Sequence, residues 1–234
     1  MNEGVIRAAN AEPERGRGGA LHVFETLREE IIALKLAPGA VLSRLALQER
    51  FGLSSTPIRD ALIRLQEERL VQVFPQHATV VSPIDIDRAR QAQFLRRSVE
   101  LEVVRTLALR PDPDVLGRLR SLIRQQTAFA DVGEYEAFTG ADMTFHRAMY
   151  DAANVSDLWH LVRRQCGHID RLRRLHLPVE GKIREILRAH TAIVEAIAAG
   201  EPDKAQLCLR DHLSRSLDFV DKLKASHPAY FPAN

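Results

Sequence analysis

The sequence predicts a mainly helical protein in two parts, a small N-terminal head of three short helices and a strand pair, then an antiparallel bundle of about six longer helices. Three observations predict this. Turn signals and short apolar periods crowd the stretch from Leu21 to Pro83. From Ile84 onward, apolar residues recur at helical spacing with only short polar breaks, at Gly133, Ala153-Asn154, Pro178, Gly181 and Gly200. No strand-like alternation interrupts that second region, so helices joined by short loops form a bundle. The expected organisation is a polar, flexible arm over 1–19, the head over 20–83 and the helical domain over 84–234.

The head opens with LHVFETLREEIIALK, where Leu21, Phe24, Leu27 and Ile31 mark a helical stripe. Pro38-Gly39 turns the chain, and a second short helix in SRLALQERF closes at Gly52. SSTPIRDALIRLQEERL forms the third helix, with Ser54 as N-cap and Pro57 in the first turn, where its missing N–H costs little. VQVF, PQHA and TVV then read as strand, turn and strand. Three helices followed by a hairpin is the order of a winged helix-turn-helix. In the second region the expected helices span 85–109, 113–130, 135–152, 156–175, 182–199 and 202–225.

The bulk properties exclude several classes. With 45% hydrophobic and 27% charged residues the chain is globular, and nothing approaches the roughly 20 apolar residues of a membrane span. The first residues lack the apolar core of a secretory signal. Cys166 and Cys208 form no disulfide framework, so a reducing, cytoplasmic setting is expected. A formal net charge of +2, with acidic and basic residues interleaved, does not by itself point to nucleic acid.

The pattern of the third helix does. Ile58, Ala61, Leu62 and Leu65 share its inward face, leaving Ser55, Thr56 and Arg59 near its N-terminus facing elsewhere. That is where a recognition helix presents side chains to the major groove. Arg59 suits a guanine edge or a phosphate, and Ser54, Ser55 and Thr56 offer hydroxyls beside a helix N-terminus that favours a phosphate oxygen. His77, at the hairpin tip, is placed to approach the minor groove or the backbone. The competing reading is a small helical subdomain with an ordinary surface arginine.

A second constellation lies in the bundle. In the segment ADMTFHRAMYDAAN, helical spacing puts Phe138, Asp142, Phe145, His146 and Met149 on one stripe. Asp142 and His146, one turn apart, therefore face the core together. His190 falls on the apolar stripe of the 182–199 helix, and His212 on or beside that of the last helix. A single buried histidine is ordinarily a core residue bonded to a carbonyl. Three of them with a carboxylate that is costly to bury unpaired set a second reading beside that one, a divalent cation that compensates the cost directly. Imidazole nitrogens plus one carboxylate suit Zn²⁺, Ni²⁺, Mn²⁺, Co²⁺ or Fe²⁺ and not a dedicated Ca²⁺ site.

The run from Leu27 to Val81, with Pro38-Gly39, the segment from Gly52 to Leu62 and Leu65…Leu70-Val71 in order, resembles the N-terminal domain of the GntR family of bacterial transcription regulators. Ser55 stands where that family commonly has arginine, and Arg69 and Ala78 stand where it usually has glycine. The second region resembles the helical ligand-binding domain of the FadR-type branch, called FCD, through LRRSVELEVVRTLAL, DMTFHRAMYDAAN and HTAIVEAIAAGEPDKAQLCLRDH. The resemblance implies a homodimer that binds double-stranded operator DNA, most often as a repressor. It also implies a metal held by one aspartate and three histidines, corresponding to Asp142, His146, His190 and His212. On an octahedral ion, four protein ligands would leave two positions for a small organic acid effector. Arg96, at the family's usual arginine position, is then a candidate clamp for the acid, with Glu100 one turn later. The plain alternative is an Arg96–Glu100 salt bridge on the helix surface. His168 and Arg171 are further pocket candidates.

The expected function is a ligand-responsive DNA-binding regulator. Two rival readings stand beside it. One is a metal-dependent enzyme using the Asp/three-His site, although no HExxH glutamate or paired Glu-x-x-His motif accompanies the ligands. The other is a purely structural metal.

Overall fold

A computed structural model describes residues 12–74, 78–179, 181–214 and 217–232. The chain divides into two compact units, one ending at Pro83 and the other beginning at Ile84. In the first, α1 (Glu12–Ile32) precedes β1 (Val41–Leu42), α2 (Arg44–Phe51), α3 (Ser55–Glu67), β2 (Val71–Phe74) and β3 (Ala78–Val81). The three strands form an antiparallel sheet in the order β1-β3-β2, with Val71 opposite Val81 and Val41 opposite Val80. This is the expected winged helix-turn-helix, with one strand more than the sequence shows. Two residues are too short a run to carry a visible alternation.

Local chemistry accounts for the head's boundaries. Ala40 donates to Ala37 across the Pro38-Gly39 turn, where Gly39 takes φ +85°. Ser43 caps α2 through its hydroxyl, and Gly52 ends that helix at φ +62°. Ser54 occupies the N-cap position of α3 but makes no side-chain cap bond. At the other end, Leu70 N–H bonds Leu65 C=O and Arg69 N–H bonds Gln66 C=O, with Arg69 between them at φ +60°. That is a Schellman stop with arginine in the position glycine favours.

The head's core joins Val23, Leu27 and Ile31 of α1 to Leu47, Ile58, Leu62, Leu65, Leu70 and Val81. Two expectations for α1 need correction. The helix already runs at Glu12, so 12–19 belong to it rather than to an arm, whereas 1–11 lie outside the described residues. Its buried stripe uses Val23, leaving Leu21 43% exposed.

The second unit contains α4 (Ile86–Leu109), α5 (Pro113–Asp131), α6 (Tyr135–Ala152), α7 (Ser156–Gln165), α8 (Gly167–His176), α9 (Lys182–Ala198), α10 (Pro202–Ser214), α11 (Val220–Ser226) and a 3₁₀ turn at Pro228–Tyr230. Asp85 and Asp112 cap α4 and α5 through their carboxylates. The core draws Val104 from α4, Leu119 from α5, Phe145 and Met149 from α6, Ile193 and Ile197 from α9, and Leu209 from α10. The expected 156–175 helix is two helices. It breaks at fully buried Cys166, which closes α7 by donating to Arg163 and starts α8. Whereas α7 keeps one wet face, α8 buries Gly167 through Leu172 consecutively, so a single straight helix could not satisfy both burials. The expected 202–225 helix is likewise split into α10 and α11. No helix among the described residues is long and apolar enough to cross a membrane.

Candidate functional site

In the head, α3 buries Pro57, Ile58, Ala61, Leu62 and Leu65 and turns Ser55, Thr56 and Arg59 outward, all three exposed. Ser54 is exposed just ahead of them. Arg59 keeps 63% of its side chain exposed and makes only a loose 3.8 Å contact with Asp60, so its fork is available to a nucleic acid. His77 lies outside the described residues.

In the helical unit, α6 presents Asp142 and His146, α9 presents His190 and α10 presents His212 to a common point. One ligand atom from each of the four lies within 4.8 Å of all the others. Nε2 of His212 is 3.3 Å from Nε2 of His190 and 3.4 Å from Nε2 of His146. Asp142 Oδ1 is 3.5 Å from His190 Nε2, buried, and without a hydrogen-bond partner. Its other oxygen receives Arg173 Nη2 at 2.6 Å.

The electrostatics suit a cation. Burial pushes all three imidazoles below their ordinary value, His190 to about 3, so each is a neutral ligand near pH 7. Burial works against the charge of Asp142, but the Arg173 guanidinium holds its carboxyl well below the usual range. An ionised oxygen with no donor, facing neutral imidazole nitrogens, is the arrangement a divalent metal stabilises and an apolar core does not. The donor set therefore fits the group that the sequence implies.

Behind the ligands stand other polar groups. Glu100 on α4 lies 2.9 Å from His146 Nδ1, with the ring N–H off the straight line to its Oε2. Arg96 donates to the other oxygen of Glu100 at 2.6 Å. Gln126 Oε1 lies 2.8 Å from His190 Nδ1. A cavity of about 280 Å³ opens beside the centre, lined by His212 with Arg173, Lys182, Glu185, Arg188 and Cys208 among others.

None of the four expected effector contacts lines that cavity. Arg96 and Glu100 do pair, but at 5% and 0% exposure, as a buried ion pair instead of a surface bridge or a free clamp. His168 accepts from Asp85 N–H and meets Arg171 Nη2 at 2.8 Å. Both are buried because α8 runs through the interior. The cationic side chains that do line the cavity, Arg173, Lys182 and Arg188, went unnoticed in sequence. They follow the unforeseen break at Cys166 or sit on the polar side of α9.

A winged helix-turn-helix followed by a helical unit with an inward-facing Asp/three-His cluster defines a class, the DNA-binding regulators with an all-helical second domain. The chain belongs to the GntR family of bacterial regulatory proteins, whose model matches residues 20–81, and carries an FCD domain over residues 91–215. An HTH-type transcriptional regulator in an unstable DNA locus of Streptomyces ambofaciens is 36% identical over 217 residues, 92% of this chain and 91% of that one. The HTH-type transcriptional repressor RspR of Escherichia coli is 25% identical over 209 residues, 89% and 92% of the two chains. The solved structure of McbR/YncC from the same species shares the fold at TM-score 0.74 with 22% identity, covering 87% of this chain and 97% of that one. The chain is thus a DNA-binding transcription regulator, and the enzyme alternative falls away.

Proposed function

We propose that this regulator is a homodimeric, cytoplasmic repressor that senses a small organic acid through a metal-containing FCD domain. One observation carries the reading. Three neutral imidazoles, those of His146 and His190 buried and that of His212 half-buried, converge with an unpartnered carboxylate oxygen beside a cavity whose rim holds Arg173, Lys182 and Arg188. A divalent cation at Asp142, His146, His190 and His212 supplies positive charge that an acid's oxygen can bind. Lys182 and Arg188, on α9, would attract the rest of an anionic effector into the cavity.

An effector lodged there touches residues of α8, α9 and α10 at once. It favours whichever packing of those helices fits it better, and only that difference in affinity can alter DNA binding. In the head, Ser54, Ser55, Thr56 and Arg59 contact the operator. A dimer doubles these contacts and matches a symmetric site.

A gel-shift titration on the DNA upstream of the protein's own gene, at stated salt, tests this. Wild type should retain that DNA specifically, and Arg59→Ala should weaken it by about 1–3 kcal/mol. Retention unaffected by Arg59→Ala, or by every small acid offered to the metal-loaded protein, would count against the respective half of the proposal.

A further inference from the structure

Two polar side chains that are not ligands stand directly behind two of the histidines. The clearer is Gln126, fully buried on α5, a helix that contributes nothing to the ligand set. Its Nε2 donates to the carbonyl of Ala141 at 3.2 Å, so its Oε1 is the atom left to face His190 Nδ1 at 2.8 Å. An amide oxygen only accepts. His190 must then carry its proton on Nδ1 and turn a bare lone pair on Nε2 toward Asp142 and His212.

Glu100 stands behind His146 from α4 by charge and not by a hydrogen bond, since the His146 ring N–H lies off the line to its Oε2. Its Oε2 stands 2.9 Å from His146 Nδ1, while Oε1 takes Arg96 Nε at 2.6 Å and lies 3.5 Å from the Tyr150 hydroxyl. A carboxylate behind an imidazole selects the Nδ1–H tautomer and strengthens Nε2 as a donor. Both rings are thereby set with their lone pairs toward one point, which is repulsive unless a cation sits between them.

We propose that Gln126 and Glu100 are positioning residues for the metal centre, Gln126 locking His190 in the tautomer and rotation that ligation requires and Glu100 favouring the Nδ1–H tautomer of His146 through its charge. This rests on the metal reading above. It also gives α4, the first helix after the head, a stake in the centre through the chain Arg96–Glu100–His146. The two partners differ in kind, Glu100 being an anion paired with a cation and Gln126 a neutral amide pinned by the backbone.

Gln126 has two jobs that a substitution can separate. Gln126→Leu removes both the acceptor for His190 and the donor to Ala141. Gln126→Glu keeps an acceptor but cannot donate to a carbonyl. Chelator competition for Zn²⁺ and the visible spectrum of bound Co²⁺, on the full chain at fixed pH, provide the readouts.

Gln126→Leu and Glu100→Gln should each weaken Zn²⁺ by about 10- to 100-fold and displace the Co²⁺ bands. Gln126→Glu should bind close to wild type and keep the wild-type bands. If Gln126→Glu is as impaired as Gln126→Leu, the residue matters only as a support for Ala141 and the proposal is overturned. Variants that all bind like wild type overturn it too. A wild type that takes up neither ion refutes the metal reading itself, which is a separate result. Thermal melting in chelator checks that each variant folds. Should Glu100→Gln fail because Arg96 is left without its anion, the pair Arg96→Met/Glu100→Gln removes the orphaned cation and must show the same loss.

Discussion

Arg173 Nη2 sits 2.6 Å from one oxygen of Asp142, while the other oxygen of that carboxylate faces His190 with no donor of its own. Asp142 is thus half satisfied by the protein. The unfilled half points at three imidazole nitrogens, and the account of this protein turns on what completes it.

Removing Arg173 separates the two halves. With the guanidinium gone, Arg173→Gln leaves a buried carboxylate short of a charged partner, at a cost of about 1–3 kcal/mol to the metal-free protein. Metal at Oδ1 compensates part of that loss. The melting-temperature deficit of Arg173→Gln should therefore be larger in chelator than with Zn²⁺ or Ni²⁺ present. An equal deficit in both conditions would mean that no cation reaches Asp142.

Acid should destabilise the metal-free protein through its histidines. Unfolded histidine takes up a proton near pH 6.5, whereas burial holds folded His190 neutral down to about 3. Between those values the unfolded state binds more protons. The stabilising contribution is complete above about 6.5 and is lost as pH falls, at roughly 1 kcal/mol per pH unit for this residue. Melting curves in chelator from pH 7 to pH 5 should move steadily downward, and less so for His190→Gln. A flat profile would place His190 in contact with water.

Arg69 offers a test confined to the head. It ends α3 at φ +60°, a conformation that costs an L-residue with a Cβ about 1 kcal/mol and costs glycine almost nothing. Arg69→Gly should raise the stability of the head by roughly 0.5–1 kcal/mol in a denaturant titration. Loss of stability would mean that the Arg69 side chain contributes more than its backbone strain costs.

Much of the site was legible in the sequence. The period of α6 alone placed Asp142 beside His146 on a core face, and the stripe of α9 brought in His190. His212 lay at the stripe's edge on α10, which agrees with its half-buried position, and the family resemblance completed the set. Gln126 was missed although a signal existed. It continues the buried stripe of Leu116 and Leu119 on α5, and a polar residue there asks for a partner. Arg173 was not accessible to the same reasoning. The stretch 156–175 has an unbroken helical period, and only packing of α8 into the interior bends the chain at Cys166. Arg96 and Glu100 were noticed as a pair, but one helix period cannot say whether an i, i+4 ion pair faces water or the core.

The central claim is a cation held by four named side chains. It is tested most directly by elemental analysis of full-length protein after dialysis against Zn²⁺, Ni²⁺, Mn²⁺, Co²⁺ and Fe²⁺ in turn, beside Asp142→Ala, His146→Ala, His190→Ala and His212→Ala. Wild type should retain one ion per chain of at least one of these metals, and each variant should lose it while still folding. A wild type that retains none, or four variants that retain as much as wild type, would contradict the account.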